Sequence, residues 1–161
     1  MTKTLHIIPG YGHNVEMPEY KKIGKCAQEK GYHVLYESIN WTQPISKQII
    51  KLKKTDVVFG FSLGATIARL SYQKTPCKKI ILASNTPLYR MTKKILLKAT
   101  CKNMALTDDI ILIKNRLLQS KLTVTSCVYL SGDRENLRGK KIKGTNHALS
   151  KLYIQTICDL L

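Results

Sequence analysis

The stretch Asp56-Val57-Val58-Phe59-Gly60-Phe61-Ser62-Leu63-Gly64-Ala65-Thr66-Ile67-Ala68-Arg69-Leu70 decides the fold. Asp56 to Phe61 is a short, nearly all-apolar run, as a central strand buried on both faces requires. Leu63 to Gln73 follows as a helix. Between them stands Gly60-Phe61-Ser62-Leu63-Gly64, a G-x-S-x-G sequence that gains meaning only from this strand-to-helix context. A serine on so sharp a turn is forced into strained backbone geometry, which pushes its hydroxyl out beyond the sheet edge. A Cβ at either flanking glycine would collide with the neighbouring strand or helix. Small Ala65 and Ala68 let the helix lie close to the sheet, and the helix N-terminus favours negative charge developing nearby. The plainer alternative is a glycine-serine turn in an ordinary strand-helix unit.

Outward from this segment the same alternation repeats, β-branched apolar runs exchanging with helix-period stretches, which is the pattern of a parallel sheet covered by helices. Upstream, Thr4 to Pro9 reads as the first strand and leads into the turn Gly10-Tyr11-Gly12-His13-Asn14. Met17 to Lys30 is a predicted helix stopped by Gly31, and Tyr32 to Ile39 a second strand. Ile45, Ile49 and Leu52 recur at helical spacing, so Pro44 to Lys54 is predicted as the next helix, with Pro44 tolerated near its start. Downstream, Lys79 to Ser84, Leu122 to Leu130 and the weak Lys141 to Gly144 are predicted strands, and Leu149 to Leu161 a closing helix. The longer stretch from Thr86 to Lys121 holds two helical patterns, Met91 to Ala99 and Asp108 to Ser120. No repeat, linker or low-complexity tract interrupts the chain, so residues 1–161 read as one domain.

Composition narrows the classes. A chain of 161 residues with 43% hydrophobic and 23% charged residues is an ordinary globular balance. Its apolar runs fall short of a bilayer-spanning helix, and Met1 to His6 lacks the regions of a signal peptide, so the expected compartment is the cytoplasm. The five cysteines, scattered and without C-x-x-C spacing, predict neither disulfides nor zinc, and most of them read as small buried hydrophobes. The net charge of +17 is extreme. It comes mostly from lysines spread along the chain, without an arginine-rich block or RNA-binding aromatics, so it reads as a solvated surface and not as a nucleic-acid interface.

Three further pieces join the serine, and with them the chain resembles the α/β-hydrolase family over nearly its full length. Ile8-Pro9-Gly10-Tyr11-Gly12 is similar to the family's oxyanion loop, though proline stands where histidine is common. That match implies an oxyanion hole from the backbone N–H groups of Tyr11 and Leu63, which leaves the identity of the side chain at position 11 free. Gly144-Thr145-Asn146-His147 looks like the family's histidine loop, and histidine is the side chain suited to taking and returning a proton near neutral pH. Of the other histidines, His6 and His33 sit in strands as packing or surface residues, while His13 sits where it would line a pocket. The acid lies in Ser131-Gly132-Asp133-Arg134-Glu135. The resemblance implies an acid three places after the glycine that ends the strand, which favours Glu135, with Asp133 the alternative acid. The chain order Ser62, acid, His147 is that of α/β-hydrolases.

The resemblance implies a three-layer α/β/α sandwich with about six mostly parallel strands, the family's first antiparallel strands being missing. It also implies a short helical lid at about residues 86–121 over a shallow, open site. Leu88, Tyr89 and Met91, with Gly10 and His13, are candidates to line the pocket, though the apolar faces of the insertion equally serve to cover the sheet. The implied activity is cleavage of short carboxylic esters or thioesters through an acyl-enzyme on Ser62. No cofactor, metal, nucleic acid or membrane span is expected. The alternative function is a catalytically weak or inactive binding protein on the same fold.

Overall fold

The structure is a computed structural model that describes residues 3–85, 91–119, 122 and 127–161. Strand β1 (Lys3–Ile8) is followed by α1 (Pro18–Glu29), β2 (Tyr32–Tyr36), β3 (Val57–Phe61), α2 (Leu63–Lys74) and β4 (Lys79–Ala83). Then come α3 (Lys93–Ala99), α4 (Met104–Gln119), β5 (Cys127–Gly132), β6 (Lys140–Ile142) and α5 (Lys151–Leu160). The six strands form one sheet in the order β2-β1-β3-β4-β5-β6, and every neighbouring pair is parallel.

The apolar pattern explains this arrangement. All five residues of β3 are buried, because its side chains alternate between two cores. Phe59 and Phe61 join Leu5, Ile7, Tyr20 of α1 and Tyr153 of α5 on one face. Val58 joins Ile80, Leu82, Ile67 of α2 and Ile110 of α4 on the other. Helices therefore cover both faces, in three layers. Burying each such aliphatic or aromatic side chain stabilises the fold by about 1.5–3 kcal/mol before conformational entropy is counted. No described helix is long and apolar enough to cross a membrane.

The predicted helix over Pro44 to Lys54 is not formed; only Ile45–Lys47 makes a single 3-10 turn. Ile45 and Leu52 are buried and Ile49 packs beside them, so the apolar spacing is satisfied by a chain draped over α2. Side chains supply the partners a helix would have taken from its own carbonyls. The Gln48 amide donates to the Asn40 carbonyl, the Ile50 N–H donates to Ser71 Oγ of α2, and the Lys53 N–H donates to Asp56 Oδ2. Two of the cysteines, Cys77 and Cys158, are buried; Cys26 and Cys127 are half-buried and Cys101 is exposed, so the expectation that most are core residues is corrected.

The strand order reverses direction between β1 and β3, which neighbour each other although β2 lies between them in sequence. Parallel sheets of this kind open a crevice beyond the carboxyl ends of the strands at such a switch point. The loop after β1 and the turn after β3 both face it.

Candidate active site

Ser62 occupies the turn between β3 and α2 with φ 52° and ψ −119°, a left-handed backbone that non-glycine residues avoid. Its N–H donates to the Ala83 carbonyl at 2.8 Å, so the strained turn is tied to β4. The neighbouring glycines make the geometry possible. A Cβ on Gly60 would lie 2.7 Å from Ala65 Cα, and one on Gly64 would run into the Pro9 and Ile8 carbonyls. The helix N-terminus thus sits directly against the end of β1.

Gly10 brings the first loop equally close. A Cβ there would meet Phe61 Cδ1 at 2.9 Å and Ser62 Cβ at 3.3 Å. The Gly10 N–H donates to the Tyr20 hydroxyl, 2.9 Å away. The N–H groups of Tyr11 and Leu63 have no acceptor among the described residues. Both belong to segments held against Ser62. The Tyr11 side chain is an anchor: its hydroxyl donates to the Thr100 carbonyl at 2.9 Å, and its ring packs edge-on to Trp41.

On the opposite side of Ser62, His147 Nε2 lies 2.8 Å from Ser62 Oγ, and its Nδ1 lies 2.6 Å from Glu135 Oε1. The Glu135 side chain is 7% exposed while that of His147 is 48% exposed, so a shielded carboxylate holds an imidazole that faces the crevice. Glu135 Oε2 accepts from the Gly132 N–H at 2.6 Å and from Ser84 Oγ at 2.7 Å. Asp133 does not reach the imidazole. Its two oxygens accept from the Gly144 and Thr145 N–H groups, which fixes the loop carrying His147. The Gly144 N–H, helped by Thr145 and by the Arg134 charge, holds the Asp133 carboxyl below the usual carboxylate range. Gly132 is required for this closeness, since a Cβ there would stand 2.6 Å from the Thr145 carbonyl oxygen.

Two supports have no signature in the sequence. Ser84, directly after β4, is fully buried with φ 47°. Its N–H donates to the Tyr153 hydroxyl at 3.0 Å. Because the Ser84 hydroxyl proton goes to Glu135, Ser84 Oγ accepts from the Tyr153 hydroxyl in turn, at 3.1 Å. Burial pushes the Tyr153 phenol up to about 12, so it stays a donor. The second support is Tyr20, whose phenol burial also raises well above the ordinary range. Its oxygen accepts from Gly10 and lies 2.9 Å from His13 Nδ1. The His13 ring stacks on Phe61, with centroids 5.7 Å apart, and Phe61 also packs against His147 at 5.3 Å. Burial lowers the His13 pKa, and nearby His147 lowers it further against the pull of Glu19.

The remaining candidates divide. Met91 is half-buried against the core that contains α2 and α4. Leu88 and Tyr89 lie outside the described residues. His33 is exposed on β2. His6, in contrast, is 4% exposed and sits between two carboxylates, with Nδ1 2.7 Å from Glu37 and Nε2 3.2 Å from Asp56. Comparison with known proteins finds no family model and no curated protein that matches this chain.

Proposed function

We propose that this chain is a serine hydrolase of the α/β-hydrolase type, cleaving short carboxylic esters or thioesters through an acyl-enzyme. The observation that carries the proposal is the continuous relay from Ser62 Oγ through His147 to a half-buried, doubly anchored Glu135. A strained serine, a base within hydrogen-bond reach and a carboxylate orienting that base are what nucleophilic catalysis by an alcohol needs.

In this mechanism Ser62 Oγ attacks the acyl carbon as its proton passes to His147 Nε2. The carbonyl π electrons move onto oxygen, and the Tyr11 and Leu63 N–H groups receive that oxyanion. Each well-placed donor of this kind is worth about 3–4 kcal/mol of barrier. Glu135 stabilises the imidazolium and keeps its Nδ1–H in place. Collapse of the intermediate expels the alcohol or thiol, which takes the proton from Nε2. Water then attacks the acyl-serine, giving its proton to His147, and release of the carboxylic acid restores the Ser62 hydroxyl. His147 is half-exposed, so the crevice is open, which suits short substrates. All five cysteines are free thiols, which suits a reducing compartment, and we assign the protein to the cytoplasm.

The test is labelling of the folded chain by a fluorophosphonate probe, alongside turnover of p-nitrophenyl acetate and butyrate. Labelling and turnover should both vanish in Ser62→Ala and in His147→Ala. Absence of labelling in folded wild type would reject the enzyme and leave a binding protein on this fold.

A further inference from the structure

Six large apolar side chains are exposed among the described residues, and four of them lie on the α3–α4 hairpin: Ile95 (50%), Met104 (50%), Ile111 (38%) and Leu112 (80%). The hairpin's inner side is conventionally packed, with Leu96, Leu106, Ile110, Ile113 and Leu117 buried against the sheet. Its outer side therefore carries an apolar surface with no covering element among the described residues. An open groove with a cavity volume of about 950 Å³ runs across it, lined by Lys94, Leu97, Lys98, Cys101, Lys102 and Met104. Asp108, the acid on this side, is neutralised by Lys93 at 2.9 Å. What remains is an apolar face bordered by ammonium groups that have no acidic partner among the described residues.

We propose that the outer face of the α3–α4 hairpin docks onto an anionic lipid bilayer. Large apolar side chains gathered at this exposure mark an interaction surface. The identity of its charges selects the partner. Protein interfaces favour arginine, tyrosine and tryptophan and are depleted in lysine, yet the described polar groups lining the groove are lysines. Lysine is a point charge on a long apolar stem. Its stem lies along apolar surface while the ammonium reaches outward to phosphate or carboxylate headgroups. Met104, Ile111 and Leu112 would then sit at the boundary between headgroups and acyl chains, as on an interfacial amphipathic helix. The surrounding field, with a net charge of +17, draws the chain toward negative membranes. This binding is independent of the hydrolase chemistry: none of these residues contacts Ser62, His147 or Glu135.

The experiment is co-sedimentation of the full chain with large unilamellar vesicles of phosphatidylcholine alone and of phosphatidylcholine with 30% phosphatidylglycerol. Binding is expected to the mixed vesicles only. A lysine beside an anionic leaflet is worth about a fivefold change in partition. The triple variant Lys94→Gln, Lys98→Gln, Lys102→Gln should therefore bind about a hundredfold more weakly. The control Lys51→Gln, Lys54→Gln, Lys143→Gln removes equal charge from exposed sites elsewhere and should stay within about threefold of wild type. Met104→Asp with Leu112→Asp should abolish binding while p-nitrophenyl acetate turnover is unchanged. Equal losses in the two lysine triples would overturn the proposal in favour of bulk charge. Retention on polyglutamate as tight as on vesicles, unmoved by Met104→Asp with Leu112→Asp, would overturn it in favour of an acidic macromolecule.

Discussion

Replacing Glu135 by glutamine should be far more damaging than the loss of one charge suggests. The side chain keeps its shape and its 7% exposure, but it has one acceptor oxygen where the carboxylate had two. Two donors, the Gly132 N–H and Ser84 Oγ, converge on the Oε2 position, so the amide oxygen belongs there. The amide NH2 is then left at the Oε1 position, 2.6 Å from His147 Nδ1. A donor at that place forces neutral His147 to accept on Nδ1 and carry its proton on Nε2. That nitrogen faces Ser62 Oγ at 2.8 Å and can no longer take its proton. A wrong tautomer of this kind costs about 10⁴ in kcat in a well-studied serine protease, equivalent to about 5 kcal/mol of barrier. The expected result is a fall of about four decades in kcat for p-nitrophenyl butyrate, with KM nearly unchanged and unfolding temperature within a few degrees of wild type. Asp133→Asn, which touches loop amides and not the imidazole, should cost about tenfold or less. Glu135→Gln within tenfold of wild type, with the fold intact by circular dichroism, would refute this tautomer account.

Ser84→Ala removes one of the two donors to Glu135 Oε2 and should lower kcat about tenfold at nearly constant KM, the cost of one charge-assisted hydrogen bond. Its steady-state kinetics are the check, and an unchanged kcat would exclude a positioning role. Gly64→Ala places a methyl group against the Pro9 and Ile8 carbonyls, where only backbone can move. It should destabilise the fold by about 3 kcal/mol, a drop of roughly 9 °C in unfolding temperature by calorimetry. His6 gives the pH prediction. Burial alone would lower its pKa, but hydrogen bonds and charge from Glu37 and Asp56 outweigh that and raise it above 6.5. The stability it contributes is therefore complete below 6.5 and lost as pH rises through the raised value. Urea midpoints of wild type minus His6→Gln should shrink between pH 6 and pH 9, and a difference that grows with pH would contradict the assignment.

The sheet was legible because its signal is local and redundant. Asp56 to Phe61, the glycines around Ser62 and the small Ala65 and Ala68 each point to the same strand-turn-helix. Glu135 was favoured over Asp133 by register alone, and the geometry adds why each is present: one faces the imidazole and the other fastens the loop that carries it. The failures share a cause, which is distance along the chain. Ser84 lies 51 residues from Glu135 and 69 from Tyr153, and no spacing rule links them. His6 reads as a packing or surface residue and is indeed buried, but its pairing with Glu37 and Asp56, 31 and 50 residues away, has no local signal. Pro44 to Lys54 misled for a related reason. Apolar periodicity reports which residues need cover, and side chains from Ser71 and Asp56 decided that the backbone would take its partners from outside.

The bond from Tyr153 to Ser84 joins the relay to α5, whose last turn is held by Lys30 Nζ on the Cys158 carbonyl and Lys79 Nζ on the Leu160 carbonyl. A relay fastened in this way is only as durable as the docking of its outermost helix. Fraying of α5 would release Tyr153, then Ser84, then the orientation of Glu135, while the central strands stayed paired. On slow heating, activity should therefore fade before the circular dichroism of the sheet, because local opening needs less free energy than global unfolding. Turnover would then serve as a thermometer for one helix.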